Sequence, residues 1–146
     1  CYTPFPSVRL SLSADGCLII EAPAVCDGPL LTNDIAELLP DGRFRILGRK
    51  DNVICSGGIK IQIEEVERQL RPHLQSPFLI TRRPDSKFGE VCVLLTEGDA
   101  AEASLVCERV LPKFHQPRLC LHVARIPLTA TGKPARHEAE LLAAQA

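Results

Sequence analysis

Gly48-Arg49-Lys50-Asp51-Asn52-Val53-Ile54-Cys55-Ser56-Gly57-Gly58-Ile59-Lys60 is the stretch on which the reading of this chain turns. Val53 to Cys55 and Ile59 to Ile61 are short β-prone runs, and the Gly57-Gly58 pair between them supplies the positive φ angles of a tight hairpin turn. Downstream the pattern becomes helical. Ile63, Val66 and Leu70 fall on one face, Glu64, Glu65 and Glu67 stand in the first turn where carboxylates suit the helix dipole, and Pro72 closes the element. Phe78 to Arg82 and Val91 to Thr96 read as strands around the polar turn Pro84-Asp85-Ser86-Lys87-Phe88-Gly89. Ala101 to Leu111 reads as a second helix, and Leu119 to Ala124 as a third buried strand. A closing helix runs from Ala135 to Ala144 with Pro134 at its first turn.

Upstream of Gly48 the pattern is all β. Val8 to Leu12 alternates, Ala14-Asp15-Gly16 turns, and Cys17 to Glu21 continues as a hairpin partner. Pro23, Gly28 and Pro29 punctuate a loop. Asp34 to Leu39 and Arg43 to Leu47 are two further strands, joined by Pro40-Asp41-Gly42. The expected class is α+β: residues 1–48 a β-rich end of a larger domain, and residues 49–146 a small domain with a β-hairpin and a three-stranded sheet flanked by helices. Residues 1–48 alone would bury little surface, so their open strand edges favour self-association.

Composition narrows the function classes. Hydrophobic residues are 45% and charged residues 24% of 146, a globular balance with no apolar run of the ~18 residues a membrane helix needs. No signal peptide is visible, and the first residue is Cys1 rather than Met, which suggests an internal cut. The seven cysteines are scattered without a C-x-x-C pair, so reduced thiols in a cytoplasmic protein are expected, with no metal site. A net charge of -1 gives no general attraction to nucleic acid. Lys and Arg number 3 against 6 Asp and Glu before Arg49, and 14 against 12 from Arg49 onward, so the second part is mildly basic.

Thr32-Asn33-Asp34, the Gly48 to Lys60 stretch, Glu64-Glu65-Val66-Glu67, Pro84-Asp85 with Gly89-Glu90, and Ile126-Pro127-Leu128-Thr129-Ala130-Thr131-Gly132-Lys133 follow one another in order. Together they resemble the adenylate-forming superfamily of acyl-CoA synthetases, luciferases and peptide-synthetase adenylation domains. The resemblance implies a C-terminal mobile lid. Its enzyme would join an acid to ATP as an acyl-adenylate with release of pyrophosphate, and then pass the acyl group to CoA with release of AMP.

On that resemblance Asp34 would hold the ribose hydroxyls, although such an Asp can equally cap a turn. Asn33 stands where most relatives carry Gly, and Asn tolerates the positive φ such a turn would need. Arg49 would reach the nucleotide, or else form a surface ion pair. Asp51 would be the hinge, or else a turn residue. Lys133 would be the catalytic ammonium of the first half-reaction, bridging the carboxylate and the α-phosphate. Ser56, Gly57 and Gly58 would lie along the pantetheine arm of CoA in the second, and the same residues also read as a plain hairpin turn. Phe114 and Arg118 would meet the adenine nucleotide of CoA, with Gln116 standing where the family often has a second basic residue.

The partners implied are a small-molecule acid, ATP, CoA and a missing N-terminal domain, which would bring the phosphate loop, the acid pocket and most of the Mg2+ binding. The chain alone is expected to be inactive. The wording around Asn33-Asp34 and Gly48 to Lys60 is most similar to the o-succinylbenzoate-CoA ligases of menaquinone synthesis. Other aryl or fatty acyl-CoA synthetases, and a non-catalytic module binding CoA or a partner, remain open. A peptide-synthetase adenylation domain is less expected, because no carrier segment follows Ala146.

Overall fold

The computed structural model describes residues 1–145. The chain divides into two compact units, Cys1–Asn52 and the residues from Val53 onward.

The first unit is an antiparallel meander of β1 (Arg9–Leu12), β2 (Cys17–Glu21), β3 (Leu30–Leu38) and β4 (Phe44–Arg49), paired in that order. Ser13 sets the first turn by accepting the Cys17 N–H on its hydroxyl at 3.0 Å. The third strand starts earlier than its polar tail suggests: Leu30 and Leu31 follow Pro29 directly and pair with Ile20 and Ile19. Thr32-Asn33-Asp34 therefore lies inside β3, extended, and not in the turn that the sequence pattern implied; no described residue other than glycine has a positive φ. Its buried apolar set is thin. Cys17, Leu18 and Ala36 are enclosed, while Phe5 is 80% and Val25 88% exposed.

The second unit carries β5 (Val53–Ser56), β6 (Ile59–Gln62), α1 (Ile63–Leu70), β7 (Phe78–Asp85), β8 (Gly89–Thr96), α2 (Ala100–Val110), β9 (Leu119–His122) and α3 (Arg136–Ala144). The hairpin and the three-stranded sheet expected from sequence form one five-stranded sheet, ordered β6-β5-β8-β7 with β9 parallel on β8. The link is the single pair Ser56↔Gly89. Successive side chains of a strand point to opposite faces, and here both faces are covered. Ile80, Cys92 and Leu94 pack with Ile63, Val66 and Leu70 of α1 and Ala103, Val106 and Cys107 of α2. Leu79, Val93 and Leu95 pack with Ala139 and Ala143 of α3. The unbroken apolar run Val91 to Leu95 is the signature of that double burial.

Local chemistry explains the helix ends. Asp99 caps α2, its carboxylate accepting the N–H of Ala101 at 2.7 Å and of Glu102 at 3.1 Å. Glu64 and Glu65 occupy the first turn of α1 as expected, but Glu67 serves another purpose. It is buried, and Arg136 donates to its Oε1 at 2.8 Å while also donating to the Ile80 carbonyl at 3.1 Å. This pair ties α1, β7 and α3 together. Pro134 does not sit in the first turn of α3, which begins at Arg136; it pairs instead with Leu128 across a small loop.

Candidate functional site

Strand β7 occupies one edge of β8 along its whole length, from Phe78↔Thr96 to Asp85↔Gly89. The other edge is divided. β5 meets it at Gly89 and β9 pairs from Val93 to Thr96, so a cleft opens between the hairpin β5–β6 and the segment leading into β9. The cleft has a volume of about 560 Å³, with Ile59, Ile61 and Cys92 as apolar lining and Lys113 and Arg118 as cations. Ser56, Gly57, Phe114 and Arg118, four of the residues expected along CoA, line it together. Gly58 completes the hairpin turn beside them at φ +85°.

Phe88 organises this cleft, and sequence reasoning placed it only in a polar turn. Asp85 accepts the N–H groups of Lys87 at 2.8 Å and Phe88 at 2.9 Å. Those bonds, the Phe88 N–H foremost, hold the Asp85 carboxyl below its usual range. The Arg118 guanidinium carbon lies 4.0 Å from the centroid of the Phe88 ring, a cation–π contact. On the hairpin side Gly57 donates its N–H to the Phe88 carbonyl at 3.0 Å. A Cβ at Gly57 would stand 2.9 Å from the ring, and its φ of +57° is a conformation that other residues adopt at a cost. Gly57→Ala is expected to lower unfolding stability by about 1–2 kcal/mol and to displace the Phe88 ring, visible as a shift of its aromatic proton resonances. An unmoved ring would contradict the close approach.

Lys113 was likewise passed over. Gln116, which stands where a second basic residue was looked for, reaches away from that role: its amide donates to the Leu111 carbonyl at 3.1 Å, at the end of α2. Lys113 supplies the second cation of the cleft instead. Phe114 projects from the short helical turn Lys113–His115 and is 69% exposed. Arg118 is anchored by its backbone N–H, which donates to the Cys92 carbonyl at 2.9 Å.

Lys133 does not line the cleft. It sits on a loop of its own, shaped by hydrogen bonds from Thr129 N–H to the Lys133 carbonyl at 2.7 Å and from Gly132 N–H to the Thr129 carbonyl at 2.9 Å. The Thr129 hydroxyl accepts the Lys133 N–H at 3.2 Å. The turn fixes the backbone and leaves the lysine side chain exposed.

In the first unit Asp34 and Arg49 face each other across β3 and β4, and the guanidinium donates to the Asp34 carboxylate at 2.9 Å. The two expected nucleotide contacts thus meet each other in this structure. Asp51 lies in the one-turn helix Lys50–Asn52, and the neighbouring Lys50 pairs with Asp15 at 3.1 Å, which raises the Lys50 pKa. Among the described residues no three His, Cys, Asp or Glu side chains converge as a metal site, and no helix is long and apolar enough to cross a membrane.

The five-stranded sheet with helices on both faces has the C-terminal domain fold of adenylate-forming enzymes. The chain is homologous to that superfamily, which includes acyl-CoA synthetases and the adenylation domains of peptide synthetases. No protein-family model matches it. It is 35% identical over 107 residues to gramicidin S synthase 2 of Brevibacillus brevis, covering 70% of this chain and 2% of that protein. To the 2-succinylbenzoate–CoA ligase of Listeria monocytogenes it is 27% identical, covering 92% of this chain and 33% of the ligase. The o-succinylbenzoate CoA synthetase MenE of Bacillus subtilis, solved with the acyl-adenylate intermediate OSB-AMP, superposes with a TM-score of 0.79 at 23% identity, over 93% of this chain and 34% of MenE. The chain spans 2% to 34% of the length of these relatives.

Proposed function

We propose that this chain is the hinge and lid of an ATP-dependent acid–CoA ligase, with residues 1–48 the end of an N-terminal adenylation domain and residues 49–146 the mobile part. The observation that carries the reading is the cleft in which Ser56, Gly57, Phe114 and Arg118 converge. A narrow apolar floor suits a pantetheine arm, and two cations at the rim suit the phosphates at its nucleotide end. In the first half-reaction the acid carboxylate attacks the α-phosphate of ATP and pyrophosphate leaves. Lys133 would stand between the two like-charged reactants, Asp34 would take the ribose hydroxyls, and Arg49 would turn toward the nucleotide. In the second, rotation about Asp51 would bring the cleft to the adenylate, where the CoA sulfur attacks the acyl carbon and AMP leaves. The magnesium that accompanies ATP would be held mainly outside this chain.

The acid we infer is o-succinylbenzoate, supported by the match to the Listeria ligase along 92% of the chain. A second reading has one specific observation in its favour, the higher identity to gramicidin S synthase 2, a peptide synthetase. A carrier protein presents a phosphopantetheine arm without CoA's adenine nucleotide, so Lys113 and Arg118 would then meet one phosphodiester rather than the several phosphates of CoA. The test is ATP–pyrophosphate exchange by the complete polypeptide with o-succinylbenzoate, a panel of aryl and fatty acids, and amino acids, followed by thioester formation with free CoA. Exchange with o-succinylbenzoate and product on CoA is the expected result. Exchange driven by an amino acid with no CoA product transfers the chain to the second reading, and no exchange with any acid defeats both.

A further inference from the structure

The ladder holds β5 to β8 through the Ser56↔Gly89 pair, at the end of β5 far from Asp51. At the near end a side chain takes over. Arg82 of β7 donates from Nη1 to the Val53 carbonyl at 3.0 Å, and from Nε to the Glu140 carboxylate of α3 at 2.9 Å. Glu90 of β8 stands 3.8 Å from the same Nη1, and its Oε2 accepts the Cys55 N–H at 3.2 Å. One forked, planar guanidinium thus joins Val53, the first residue of the second unit, to the closing helix.

That helix in turn carries the lysine loop. Pro134 and Ala135 alone separate Lys133 from Arg136, where α3 begins. Leu128 bridges Pro134, and the Ala135 N–H donates to the Pro127 carbonyl at 3.0 Å, so the loop is folded onto the start of the helix.

We propose that Arg82 is a positioning residue for Lys133: it fastens the helix that bears the lysine loop to the strand that follows Asp51, so that both turn as one body. The inference rests on the lid reading above and adds a residue to it. Arg82 does not line the cleft. Its carboxylate partners Glu90 and Glu140 are 37% and 38% exposed, so water replaces the guanidinium where it is lost, at little cost to the fold.

The test uses the complete polypeptide with Arg82→Ala, Lys133→Ala and the double variant. Arg82→Ala is expected to slow ATP–pyrophosphate exchange ~10-fold, within the ~10²-fold that a misplacement of about 1 Å can cost, while acyl transfer from a preformed acyl-adenylate to CoA is unchanged. In the Lys133→Ala background the same substitution should cost nothing further, because the group it aligns is already gone. Amide exchange across residues 128–139 should become several-fold faster, with the urea midpoint close to wild type. Equal losses in both backgrounds would make Arg82 a merely structural residue and overturn the proposal. So would a Lys133-dependent rate that Arg82→Ala leaves unmoved. Wild-type exchange by Lys133→Ala is a different failure, since it would defeat the lid reading itself and the proposal with it.

Discussion

On the proposed function, Lys133→Ala in the complete polypeptide is expected to slow ATP–pyrophosphate exchange by ~10²–10³-fold, about 3–4 kcal/mol of transition-state stabilisation, the range typical of losing one aligned electrostatic group. Stability should stay unchanged. The Lys133 side chain is exposed, and the turn that presents it is built from the backbone and the Thr129 hydroxyl. Transfer of a preformed acyl-adenylate to CoA should also survive, because Lys133 does not line the cleft. A variant that exchanges pyrophosphate at the wild-type rate would remove Lys133 from the first half-reaction, and equal loss of both half-reactions would point to a damaged lid.

Arg136→Ala should be the most destabilising single polar substitution in the second unit. It removes the guanidinium that pairs with Glu67, whose side chain is 8% exposed, and that also satisfies the Ile80 carbonyl. Leaving a buried carboxylate without its partner costs about 3 kcal/mol or more. Replacing both members with apolar residues of similar volume should restore much of that loss, because neither charge is then stranded. The comparison is a double-mutant cycle by urea denaturation, with Arg43→Ala as a control. Arg43 pairs with Asp41 at 2.7 Å where both side chains are half exposed, so its loss should scarcely move the midpoint. Equal midpoints for Arg136→Ala and wild type would mean that Glu67 reaches solvent or another donor.

The sequence made some of this legible and hid the rest, for reasons of range. Period-two and period-3.6 patterns are local, so the hairpins and the apolar face of Ile63, Val66 and Leu70 could be read directly. The Gly57-Gly58 turn announced itself by residue type, and both glycines do adopt positive φ. Contacts between distant residues left no such trace. Arg136 and Glu67 are separated by 69 positions, so Glu67 could only be read as one more acid at a helix start. Phe88 looked like an apolar residue stranded in a polar turn, because its partners Gly57 and Arg118 arrive from opposite sides in the chain. Lys113 left no signal because it precedes Phe114, outside the Phe114 to Arg118 interval in which the resemblance places a second basic residue. Asn33 misled through its own chemistry: a residue tolerant of turns is also able to lie in an extended strand, here where the register shifts between the Ile19↔Leu31 and Cys17↔Ile35 pairs.

Strand β8 has neighbours on both edges at its ends and clusters on both faces. Every side chain from Val91 to Thr96 is at most 4% exposed. Such a strand has no silent position, since a larger residue collides on either face and a smaller one leaves a void. Tolerance to substitution should therefore lie off this strand, on the exposed faces of the helices and of the outer strands, where surface changes usually move stability by less than about 0.5 kcal/mol.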